Sequence, residues 1–197
     1  MCRLVETVKL KDGIFENMDL HNERFNNSRK SLFNVNDLID LNELLNSYQY
    51  EKRGMFKTRV VYNQDIVKVE FVPYVLKQVN SLKLVFAYID YEYKYEDRTG
   101  INKLFEIRDN CDDILIVKNG KLTDTSAANI AFFDKDRWYT PLHPLLKGCE
   151  REKLIRSKRI FEEDIKVSDL EKFDKAAIFS TMVDFGEVVI PVANIYR

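Results

Sequence analysis

Lys94 has the most pointed chemical surroundings in this sequence. It follows a β-type, aromatic-rich run, Tyr88-Ile89-Asp90-Tyr91-Glu92-Tyr93, and precedes Tyr95-Glu96-Asp97-Arg98. A lysine at the end of a strand, against aromatic surface and beside an arginine, has its ammonium form disfavoured by desolvation and like charge. A neutral amine is the form that attacks an aldehyde. A solvated surface lysine is the ordinary alternative. Other chemistries find fewer candidates. Cys2, Cys111 and Cys149 are odd in number and lack metal-ligand spacing, so they read as free thiols in a reducing cytoplasm. With His21 and His143 as the two histidines, a His-rich metal site is disfavoured and a Ser-His-Asp triad has few candidates.

The elements that must position such residues follow from patterning. The 197 residues suffice for one large domain or two small ones, and 45% apolar with 32% charged residues describes a soluble globular chain. A net charge of −1 gives no general affinity for nucleic acid or an anionic membrane. No apolar run is long enough to span a bilayer, and the first residues alternate like a strand and lack a signal-peptide block.

Arg3 to Leu10 alternates and Asp12-Gly13 is a turn signal, which predicts strand, turn and strand. Asp19 is expected to cap a helix containing Leu20 and Phe25, and a second helix is expected from about Asp37 to Tyr48. Thr58–Tyr62, Ile66–Val72 and Leu82–Ile89 read as strands, with the Pro73 region as the interdomain connection. In the second half, Ile101–Ile107 reads as a helix. Ile114–Val117 and Lys121–Thr123 read as a hairpin about Asn119-Gly120. Ile130–Phe133, a turn at Asp134–Asp136, a helix over Glu150–Arg159 and a closing strand Val188–Val192 follow. Helix and sheet mixed in both halves predict two α/β or α+β domains.

Four separated segments carry a resemblance. The first is Val5-Glu6-Thr7 with His21-Asn22-Glu23-Arg24-Phe25-Asn26-Asn27-Ser28. The second is Lys94-Tyr95-Glu96-Asp97-Arg98, and the third is Leu122-Thr123-Asp124-Thr125-Ser126-Ala127-Ala128-Asn129-Ile130. The fourth is Thr140-Pro141 with Leu145-Leu146-Lys147-Gly148-Cys149-Glu150-Arg151. In order and interval they resemble the class IV aminotransferases, the fold type IV enzymes dependent on pyridoxal 5'-phosphate (PLP). These include branched-chain and D-amino-acid aminotransferases and 4-amino-4-deoxychorismate lyase. The resemblance implies a small N-terminal α/β domain over residues 1–74 and a larger, β-rich α/β PLP-binding domain over residues 80–197. It also implies a cytoplasmic homodimer acting on a small amino-bearing substrate.

It further implies roles. Lys94 would carry PLP as a Schiff base and shuttle protons at the substrate. Arg24 would clamp the cofactor phosphate, since a planar guanidinium suits phosphate oxygens. Asp124 would stand beside the pyridine nitrogen and keep it protonated. The family usually has glutamate there, one methylene longer. Arg98 would face the cofactor's phenolic oxygen. The Gly148-Cys149-Glu150 segment, opening a helix, would offer backbone N–H groups to the phosphate. Members commonly carry a hydroxyl residue where Glu150 stands, so its side chain is expected to turn away. Thr181 matches a phosphate-binding threonine, and Ser180 stands one position earlier to do the same.

The Lys94-x-x-Asp97-Arg98 spacing favours the lyase branch, which eliminates pyruvate from 4-amino-4-deoxychorismate to give 4-aminobenzoate. An aminotransferase of branched-chain or D-amino acids is the alternative. The departures at Asp124 and Glu150 and the short chain keep a third class open, a non-catalytic PLP-binding or scaffold protein.

Overall fold

The computed structural model describes residues 2–197. They divide into two compact units. One runs to Leu76 and takes back Tyr93–Asp97; the other comprises Lys77–Glu92 and Arg98–Arg197. The expected second domain beginning at residue 80 is therefore interrupted, and Lys94 belongs to the first unit.

The first unit is one antiparallel sheet with two helices. Strand β1 (Leu4–Lys11) turns at Asp12-Gly13 into β2 (Ile14–Phe15). Both turn residues have positive φ, 48° and 83°, the mirror-image turn geometry that suits strand twist. Helix α1 (Met18–Phe33), helix α2 (Leu41–Asn46), β3 (Met55–Tyr62) and β4 (Ile66–Pro73) complete the unit, in the sheet order β2-β1-β3-β4. The period of two places Leu4, Glu6, Val8 and Leu10 on one face of β1. Leu4, Val8 and Leu10 pack with Phe25, Leu41, Leu45, Val60 and Tyr62 into the core.

The returning segment lies along the start of β1. Val5 N donates to Lys94 O at 2.9 Å, Glu96 N donates to Arg3 O at 3.0 Å, and Leu4 bridges Tyr95.

Two helix boundaries differ from expectation. Asn17, in the left-handed region, stands at the N-cap of α1, while Asp19 falls in the first turn, where it meets the positive end of the helix dipole. The helix expected over 37–48 shrinks to Leu41–Asn46, because the Asp40 carboxylate accepts the Asn42 and Glu43 N–H groups and starts it there. The preceding chain is strapped to α1 by side chains. Asn26 pairs with both backbone groups of Ile39, and Asn22 accepts from Leu41 N. Leu38, inside the span expected to be helical, is exposed.

The second unit holds two sheets. Strand β5 (Leu82–Phe86), helix α3 (Thr99–Glu106), β6 (Asp113–Lys118), β7 (Lys121–Thr125), β8 (Asn129–Phe133) and β9 (Trp138–Pro141) lead to helix α4 (Cys149–Arg156). After it come β10 (Phe161–Glu163), β11 (Lys175–Ser180), β12 (Val183–Pro191) and β13 (Ile195–Tyr196). The orders are β13-β5-β6-β7 and β10-β9-β8-β11-β12. Strand β5 ends at Phe86, so Tyr88–Tyr93 is not a strand and Lys94 does not end one. Its order comes instead from the pairing with β1. Helix α4 also stops three residues before the expected Arg159. Among the described residues no helix is long and apolar enough to cross a membrane.

Candidate active site

In the first unit the sequence candidates Arg24 and Lys94 gather at β1. On α1, His21 and Arg24 are three residues apart and share a face, toward Glu6. Glu6 is fully buried. Its Oε1 accepts from Arg24 Nε at 2.8 Å and its Oε2 from Arg24 Nη2. Oε2 also pairs with His21 Nδ1 at 2.8 Å.

Burial alone would raise the Glu6 carboxyl, but the Arg24 charge and the hydrogen bonds from His21 and Arg24 outweigh it, bringing it to about 2. Burial lowers His21 more than Glu6 raises it, and the charges of Arg24 and Lys94 lower it further, so its ring is neutral at pH 7. Lys94 is half-buried. The sequence reading gave Glu6 and His21 no role. The signal was a lone carboxylate on an otherwise apolar strand face, a position that demands a partner.

In the second unit Asp124, near the end of β7, is buried. Its Oδ1 accepts from Asn129 Nδ2 at 2.8 Å and its Oδ2 from Leu146 N at 2.9 Å. Burial raises its pKa to about 6 against these two hydrogen bonds and the field of Arg151. No ion pair reaches it among the described residues. Asn129, at the start of β8, also donates to Leu146 O at 2.9 Å, and so braces the loop that enters α4.

Gly148 caps that helix, and a Cβ there would overlap the Asn129 side-chain oxygen. Gly148→Ala should therefore displace Asn129, and with it Asp124. We expect a loss of about 1–3 kcal/mol in stability together with weakened cofactor uptake, measured by thermal unfolding and PLP titration.

The remaining candidates are also in the second unit. Arg98 precedes α3 and donates through Nη2 to Ser126 O at 2.7 Å, tying the loop after Asp124. Cys149 and Glu150 open α4, both buried. The Glu150 carboxylate runs along the helix to Lys153 at 3.2 Å. Ser180 ends β11 and Thr181 opens the turn to β12, where Ser180 Oγ accepts from Met182 N at 3.2 Å. Cys2, Cys111 and Cys149 form no disulfide.

The family Amino-transferase class IV matches residues 101–195. A Haemophilus influenzae protein, described as uncharacterized, is 35% identical over 188 residues, which is 92% of this chain and 98% of that protein. The crystal structure of a candidate 4-amino-4-deoxychorismate lyase from Haemophilus somnus 129PT superposes with a TM-score of 0.87 at 30% identity. That match covers 93% of this chain and 97% of the other. A candidate amino-acid aminotransferase from Mesorhizobium loti gives a TM-score of 0.80 at 20% identity, covering 96% and 99%, and shares the fold.

Proposed function

This chain belongs to the class IV aminotransferase family, and from that premise we propose that it holds pyridoxal 5'-phosphate on Lys94 and acts as a 4-amino-4-deoxychorismate lyase. The observation that carries the cofactor reading is Asp124. A buried carboxylate held by two neutral N–H groups is an incomplete charge arrangement, and a cationic ring nitrogen is the partner it fits. When bound, the cofactor supplies an electron-withdrawing ring that weakens the C–H bond at the substrate carbon bearing the amino group.

The rest falls to side chains of this protein. Lys94 Nζ takes and returns the proton at that carbon. Arg24 binds the phosphate, aided by the Cys149 and Glu150 N–H groups at the start of α4 and by Ser180 and Thr181. Arg98 holds the loop after Asp124 and would face the phenolic oxygen of the bound cofactor. Asp124 holds the ring nitrogen in its protonated form.

The Lys94-x-x-Asp97-Arg98 spacing and the Haemophilus somnus likeness favour the lyase reaction. The family as a whole supports a second reading, amino transfer from an amino acid to a 2-oxo acid. Protein reconstituted with PLP should be yellow. It should release pyruvate and 4-aminobenzoate from 4-amino-4-deoxychorismate in equal amounts. Glutamate formation from 2-oxoglutarate without pyruvate release would move the assignment to the second reading. A colourless protein that turns over no amine would sink both and leave a scaffold.

A further inference from the structure

We propose that Glu6 is a positioning residue for phosphate recognition: it fixes the Arg24 guanidinium in the orientation that takes the cofactor phosphate. The inference rests on the reading of Arg24 as the phosphate ligand.

The geometry is specific. Both Glu6 oxygens engage the guanidinium, Oε1 through Nε and Oε2 through Nη2, so the contact fixes the plane of the group and its rotation about the side chain. A single hydrogen bond would fix neither. The remaining capacity of Oε2 is taken by His21 Nδ1, which stops the carboxylate from turning. Glu6 is fully buried while Arg24 is 18% exposed, so the carboxylate is the inner member of the pair and the guanidinium the outer.

Stability does not account for this arrangement. Glu6 shares its strand face with Leu4, Val8 and Leu10, where an apolar side chain would pack, and a buried ion pair contributes little over well-packed apolar residues. What the pair contributes is orientation of a long, flexible side chain, at a constant charge. Glu6 stays ionised and His21 neutral near pH 7, so the clamp does not titrate there.

The location fits the role as well. Val5, the neighbour of Glu6, donates its N–H to the Lys94 carbonyl. Adjacent residues of β1 thus anchor the candidate lysine through the backbone and the candidate arginine through a side chain.

The test compares PLP with pyridoxal, which lacks the phosphate, by absorbance titration of the cofactor-free full chain. In Glu6→Gln the preference for PLP over pyridoxal should fall at least tenfold, with pyridoxal affinity unchanged within threefold. In an Arg24→Ala background the same substitution should change the preference by less than twofold, because Glu6 acts through Arg24. Glu6→Asp, one methylene short of the two-point contact, should lose at least threefold and reads the same ratio if Glu6→Gln fails to fold.

Three results would overturn the inference: an intact preference in both variants, an equal loss of affinity for both compounds, or a full effect of Glu6→Gln without Arg24. A wild type that binds neither compound overturns the functional reading itself, and the positioning role with it.

Discussion

Lys94→Ala should yield a folded, colourless protein that turns over no amine. The Lys94 carbonyl oxygen accepts the Val5 N–H, and alanine keeps that carbonyl. The pairing of Leu4 with Tyr95 also survives, so circular dichroism and thermal unfolding should stay close to wild type. What alanine removes is the amine. Loss of the proton-transferring group alone costs about 10²–10⁴-fold in rate, and loss of the covalent attachment removes the visible absorbance as well. A Lys94→Ala protein that keeps its colour through dialysis and continues to release product would place the reacting amine elsewhere.

Asp124→Asn should lower turnover of the reconstituted enzyme about 10²–10³-fold, the size expected when one preorganised charge at a reacting centre is removed. The same substitution should change how the cofactor-free protein responds to pH. The Asp124 carboxyl, at about 6 in the folded chain, lies above its ordinary 3.8. The folded state therefore holds this proton more tightly than the unfolded one. The resulting stability is complete below pH 3.8 and is lost as pH rises through 6. Two pH units correspond to about 3 kcal/mol. Urea unfolding of cofactor-free protein from pH 4 to pH 7 should show that decline in wild type and not in Asp124→Asn. Saturation with PLP should flatten the wild-type curve, since a cation at the carboxylate offsets its burial. Superimposable pH profiles for wild type and variant would show that Asp124 is not the group responsible.

What could be read from the chain beforehand was local. Asp12-Gly13 and Asn119-Gly120 announce their turns because both residues of each adopt positive φ, which few residue pairs tolerate. The alternation of Leu4 to Leu10 announces β1. The failures arise where a distant group decides. Nothing near residue 37 in sequence reveals that Asn22 and Asn26 satisfy the chain up to Leu41 and so shorten the second helix.

Tyr88–Tyr93 has strand composition but joins no sheet; the Lys118 ammonium, and not a neighbouring strand, takes the Ile89 carbonyl and the Asp90 carboxylate. β9, β10, β11 and β13 have no counterpart in the sequence reading. β10 is three residues long and finds its parallel partner β9 across the whole of α4. In the candidate site, the residues with reactive groups were legible as motifs. Glu6, Asn129 and Gly148 stand in the same motif segments, but their bracing contacts were not legible, because these residues act through partners 18, 5 and 19 positions away.

The return of Tyr93–Asp97 to the first sheet has a consequence for biosynthesis. On the ribosome the chain emerges from its amino end, and Leu76 leaves the exit tunnel well before residue 97 does. Until then the start of β1 has an open edge of backbone N–H and C=O groups, a template for pairing with another chain. The second unit is still unfinished at that moment. The amino-terminal sheet closes only when the stretch bearing Lys94 arrives to cover that edge. A gene truncated after Leu76 would therefore encode a sheet with an exposed border, prone to aggregation, rather than an autonomous fold.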